Sequence, residues 1–197
     1  MFAFARLICL FSLLAAPLVA FAQTADMPTP EAHAVGESWE WRRVDALTKL
    51  EEARIVATVV KSDAGPVFLI DGKTAPIATL LTQSSYNPSP KPWRVWPLVV
   101  GKRWEFEASW TRSDGVTGST QQKVEVTAYE EVIVPAGKFM AYKIEHRGFF
   151  RNSRGSSGQQ DDTYWYAPDL KADVKFERRS GRPVFVTELI SHKRPAP

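Results

Sequence analysis

The chain has one cysteine and three histidines in 197 residues. The cysteine, Cys9, sits in an apolar run near the N-terminus, so no disulfide can form within the chain and the core alone must hold the fold. His33, His146 and His192 lie far apart, and no His/Asp/Glu set has metal-ligand spacing. Asp161-Asp162 offers too few carboxylates for a calcium loop. No serine sits in a G-x-S-x-G elbow, and no glycine-rich stretch could cradle a phosphate. These absences leave no catalytic residue, metal or cofactor to nominate. Charge is also short: 25 Lys and Arg face 22 Asp and Glu, a formal net charge of +3. The sequence pI near 9.0 therefore rests on a few groups, too few for a nucleic-acid protein.

The one long apolar run is at the start. MFAFARLICLFSLLAAPLVAFAQ places Arg6 before an apolar stretch from Leu7 to Phe21 and a small-x-small signal at Ala20-Phe21-Ala22. This pattern predicts a signal peptide over 1–22, a mature chain from Gln23 without a transmembrane span, and a periplasmic location. Cleavage removes Arg6 and takes the formal charge from +3 to +2. Residues 23–34 have no period and read as a flexible leader. A single β-rich domain is expected over 35–192, with a flexible tail over 193–197.

Within the domain the dominant signal is alternation. From Trp104 to Trp110, Trp104, Phe106, Ala108 and Trp110 share one face, while Glu105, Glu107 and Ser109 share the other. Met140, Tyr142, Ile144 and His146 alternate in the same way. Asp71-Gly72 is a two-residue hairpin signal. Glu130 breaks the pattern of a long strand, which predicts a bulge near Tyr129. ALTKLEEA, residues 46–53, could form a helical turn or two. Nine to eleven strands with short connections favour antiparallel pairing. Val35-Gly36-Glu37-Ser38-Trp39-Glu40-Trp41 matches Val100-Gly101-Lys102-Arg103-Trp104-Glu105-Phe106, so each copy could open a similar series of strands.

Three segments carry a resemblance. Pro97 to Trp104, PLVVGKRW, is similar to the PL-x-VGK-x-W segment of bacterial exported proteins of unknown function. Val134 to Phe139, VPAGKF, resembles their VPAG-x-F turn, and Tyr164 to Leu170, YWYAPDL, resembles the stretch before their next strand. The likeness covers about residues 95–192. It implies an all-β domain, at most with one short helix: a strongly curved antiparallel sheet, half-barrel-like, similar to periplasmic lipoprotein carriers. No catalytic set comes with it. Gly101, Pro135, Gly137 and Pro168 are expected as structural turns, because Pro fixes φ and Gly reaches positive φ.

All seven tryptophans lie beyond residue 22. They could fill a core or line a groove for an acyl chain. The groove candidates are Trp104, Phe106, Trp110, Tyr142 and His146, with Arg178 and Arg182 at its mouth for an anionic headgroup. The leading expectation is non-enzymatic binding of a lipid, acyl chain or other amphiphile, or a role in envelope assembly. An adaptor that pairs with an envelope protein through a sheet edge is the second reading, and a hydrolase with a scattered site is the third.

Overall fold

The computed structural model describes residues 24–26, 32–63, 65–75, 91–179 and 184–195. The signal peptide expected over 1–22 and Arg182 lie outside them. The strands are β1 (Thr24–Ala25), β2 (Ser38–Asp45), β3 (Glu51–Ser62), β4 (Gly65–Ile70), β5 (Lys73–Ala75), β6 (Leu98–Val99), β7 (Arg103–Thr111), β8 (Thr117–Val134), β9 (Gly137–Asn152), β10 (Ser157–Ala167), β11 (Ala172–Arg178) and β12 (Phe185–Lys193). A 3-10 turn, Pro168–Leu170, joins β10 to β11. Residues 46–48 form the β2–β3 turn rather than a helix, and β3 already begins at Glu51. The Asp45 side chain explains this: it accepts the Leu47 and Thr48 amides, a turn that competes with helix.

Ten strands form one antiparallel sheet in the order β5-β4-β3-β2-β12-β11-β10-β9-β8-β7, and β1 pairs separately with β6. The chain's last strand thus lies in the middle, between β2 and β11. The expected half-barrel does not form. The sheet is open, with β5 and β7 at opposite ends of the strand order, and it is not strongly curled. The reason lies in where the aromatics go. A half-barrel needs them inside one concave face, whereas neighbouring residues here serve two cores. Trp165 and Ala167 join Trp39, Trp41, Phe68, Leu170 and Leu189 in one cluster. Tyr164 and Tyr166, one residue away from each, join Phe106, Val124, Tyr142, Ile144 and Trp93 in the other. Successive strand residues point to opposite faces, so the sheet has a core on each side.

The bulge in β8 falls between Val126 and Ala128 rather than at Tyr129. Beyond it, Val132, Val134 and Phe139 at the β8–β9 tip pack into the first cluster, and the Ala136 amide donates to the Leu189 carbonyl at 3.1 Å. The repeated heptapeptide has matching geometry. Gly36 and Gly101 take φ of +89 and +88. Each glycine amide donates across to the next strand, Gly36 to Val59 O and Gly101 to Val126 O, both at 2.8 Å. Gly137, at φ +136, follows Pro135 in the turn that opens β9.

Candidate functional site

One face of β7 to β11 gathers the residues of interest. His146 on β9 stands opposite Val124 on β8 and Asp162 on β10. Tyr164 stands opposite Ile144 and Phe176, and Phe106 opposite Gln122. The period of two therefore aligns His146, Tyr142, Tyr164, Phe106 and Phe176 on one surface.

Residues 91–98 cross this surface as a strap. The Trp93 ring meets Tyr164 edge-on at 5.0 Å and lies 5.9 Å from the His146 ring. Trp96 meets Tyr166 at 5.2 Å. Trp104 Nε1 donates to the Pro92 carbonyl at 3.1 Å, and the Glu107 amide donates to Lys91 O at 3.2 Å. Arg94 turns inward. Its Nη2 donates to Asp173 Oδ1 at 3.1 Å, and its guanidinium lies 4.2 Å from the Trp93 ring centre and 5.1 Å from that of Tyr166. Burial raises the Asp173 pKa, and Arg94 opposes the rise.

His146 is fully buried among Trp93, Trp104, Phe106 and Tyr164. Burial, and then the Arg94 charge, hold its pKa well below the ordinary histidine value, so it is neutral at pH 7. Among the described residues neither ring nitrogen has a hydrogen-bond partner. The same holds for Arg94 Nε and Nη1 and for the Tyr142 hydroxyl. Buried polar atoms are nearly always paired, so a group of orphans in one aromatic interior is unusual. A catalytic histidine would need a carboxylate or hydroxyl on its ring, and His146 has neither among the described residues.

Beyond His146 the face becomes polar, with Asp162 at the centre of a hydrogen-bond network. Asp162 accepts from Gln160 Nε2 at 2.8 Å, Arg178 Nε at 2.9 Å and Gln122 Nε2 at 3.2 Å. Gly148 stands between Gln122 and Gln160 in the register. A Cβ there would collide with the backbone of Gln121 and Gln122; across it, Gln122 Nε2 also reaches the Gln160 carbonyl, at 3.0 Å.

Of the candidates drawn from alternation, Trp104, Phe106, Tyr142 and His146 are brought together here. Arg178 joins them through Asp162. Trp110 lies apart, its Nε1 on Thr120 Oγ1 and its ring over Gly118. Asp162 was visible only as half of an adjacent carboxylate pair, and Arg94 and Asp173 carried no sequence signal: Arg94 sits in a proline-flanked stretch with no period.

A second polar cluster lies at the other core. Buried Glu37 accepts from His192 Nε2 at 2.9 Å, Lys171 Nζ at 3.2 Å and the Ala34 amide at 3.3 Å. Burial alone would raise its pKa, but these partners outweigh it and hold the carboxyl below its usual value. His33 is buried beside it, 5.5 Å from Phe68 and 5.8 Å from Trp39. Burial, and then Lys171, lower its pKa. Sequence reading missed this cluster because Glu37 and His192 are 155 residues apart. Lys171 disfavours a cation there, and among the described residues no group of three or more His, Cys, Asp or Glu could hold a metal ion.

With two cores on an open antiparallel sheet, the described part of the chain is an all-β fold. The chain matches no protein-family model and no curated protein. It is similar in structure to a candidate lipoprotein from Parabacteroides distasonis, with a TM-score of 0.55 and 14% identity over 81% of this chain and 96% of that one. A candidate exported protein with a YmcC-like fold from Bacteroides fragilis aligns with a TM-score of 0.47 and 12% identity, over 87% of this chain and 100% of that one. The hypothetical lipoprotein YmcC of Escherichia coli aligns with a TM-score of 0.37 and 13% identity, over 82% and 85%. These likenesses are distant and concern the fold; they do not rest on the three sequence segments. Among the described residues no helix is long and apolar enough to cross a membrane.

Proposed function

We propose that this is an exported, non-catalytic binding domain for an amphiphile, held on the aromatic face beneath the strap. One observation carries the reading: His146, Arg94 and Tyr142 present buried, unpartnered polar atoms inside a surface of aromatic rings. A finished core would be dry and apolar, or polar and paired. A ligand site combines apolar walls with a few convergent polar groups. The strap is tied to the sheet by ring contacts, the ion pairs of Lys91 and Arg94 and single hydrogen bonds rather than a strand ladder, and lifting it opens the face. An acyl chain would gain about 0.8 kcal/mol per buried CH₂, so eight would supply about 6 kcal/mol before ordering costs. The Arg6-led apolar run, and relatives described as candidate exported proteins and lipoproteins, support an envelope location.

Titration with a fluorescent fatty acid tests the proposal. Saturable binding is expected, accompanied by quenching of tryptophan fluorescence. Trp96→Ala, which removes a ring of the strap from Tyr166, should change the affinity severalfold. Absence of saturable binding below the micelle concentration, in folded protein, would remove the reading.

A further inference from the structure

The aromatic face does not stop at Tyr164. The Tyr164 ring stacks on Phe176 at 4.4 Å, and Phe176 meets Phe185 edge-on at 5.4 Å. The rings thus continue across β10, β11 and β12. At the far end two guanidiniums flank Phe185, Arg43 at 4.3 Å from its centre and Arg178 at 5.5 Å.

The two arginines differ. Arg178 is held by Asp162. Arg43 on β2 has no carboxylate paired with it among the described residues, and its Nε is buried without a partner. Burial, and then the Arg178 charge, disfavour its charged form, while Glu52 partly offsets them. Thr187 stands directly opposite Arg43 on β12 and opposite Phe176 on β11. It is 7% exposed, and its hydroxyl has no partner. The nearest other carboxylate in the register, Asp45, is committed to its own turn through Leu47 and Thr48. A guanidinium and a hydroxyl, both with open hydrogen-bonding capacity beside a second positive charge, favour an oxyanion with at least two oxygens.

We propose that Arg43 and Thr187, beside Arg178, form the headgroup subsite for a phosphate-bearing amphiphile whose tail lies along Phe185, Phe176 and Tyr164. This rests on the amphiphile reading above and adds the chemistry of the head. Arg43 Nε–H and Nη–H would donate to two phosphate oxygens and the Thr187 hydroxyl to a third.

The test measures binding of dodecyl phosphate, dodecanol and inorganic phosphate to the same protein by calorimetry. Dodecyl phosphate should bind about tenfold or more tighter than dodecanol, the gain expected of charge-assisted hydrogen bonds. Inorganic phosphate should compete with dodecyl phosphate and not with dodecanol. Arg43→Gln should bring dodecyl phosphate down to the affinity of dodecanol; Arg43→Lys should restore part of the preference, and Thr187→Val should reduce it severalfold. Equal binding of the two dodecyl compounds, or a preference that survives in a folded Arg43→Gln protein, overturns the subsite. If dodecanol fails to bind while the two phosphates still compete at Arg43, the subsite stands and the tail reading falls. Competition by inorganic phosphate with no gain from the alkyl chain identifies a free phosphate, rather than a lipid head, as the ligand.

Discussion

A neutral histidine sealed among rings makes stability depend on pH in a definite direction. His146 and His33 both have pKa values below the ordinary histidine value, with burial as the leading cause. Above about pH 6.5 neither the folded nor the unfolded chain protonates them, and they cost nothing. As pH falls through that value, the unfolded chain takes up protons that the folded chain resists, so stability declines. The slope approaches about 1.4 kcal/mol per pH unit for each histidine. Glu37 acts separately: its lowered pKa supplies stability at neutral pH that is lost only below the usual carboxylate range. Urea unfolding at pH 7.5 and pH 5.0 should therefore show a lower midpoint at pH 5.0. His146→Phe should shrink the difference and His33→Phe should shrink it further. An unchanged difference in both variants would contradict the burial argument. At this scale the sequence was only partly readable. The alternation from Met140 placed His146 on an apolar face, since period two depends on neighbours alone. The Glu37–His192 contact depends on which strands become adjacent, which no local pattern records.

Among the elements, the strap has an anchor that can be weighed. The Arg94 side chain is 1% exposed and that of Asp173 18%. Removing one member leaves a charge without its partner in a poorly hydrated place. Arg94→Met should cost about 3 kcal/mol. Arg94→Met with Asp173→Asn should recover most of that, because the uncompensated carboxylate is gone. Urea midpoints of the two single variants and the double variant check this; additive losses would mean that the pair is not coupled. The strap also bears on pairing through sheet edges. Its Lys91 carbonyl occupies the Glu107 amide on β7, and its ammonium lies 2.8 Å from Glu105 and 3.5 Å from Glu107. A charged, partly occupied edge disfavours addition of a foreign strand. Alternation identified β7 but not this cover, because KPWRVWP has prolines in place of a period.

For the whole molecule, class and strand direction followed from short turns between alternating segments, while the shape did not. Choosing a half-barrel required knowing whether the aromatics share one face. Tyr164, Trp165 and Tyr166 are consecutive, so period two divides them between two faces, which a single concave face holding every ring does not allow. The strand order leads to a further prediction. β12 bridges the four strands before it in the order, β5 to β2, and the five after it, β11 to β7. Ending the chain after Arg179 should therefore abolish cooperative unfolding, whereas ending it after Arg194 should not. A synthetic peptide of residues 184–195 added to the shorter chain should restore part of the β circular dichroism signal. A shorter chain that unfolds cooperatively by itself would show that the two groups of strands are independently stable.

That central place for the last strand also sets an order of events in time. Strands β2 to β5 are made first and can pair locally, but their junction to the remainder must wait for Phe185–Lys193. Until then the two groups of strands stay unjoined, since contacts of such sequence separation form slowly. The whole sheet closes only when Phe185–Lys193 is in place.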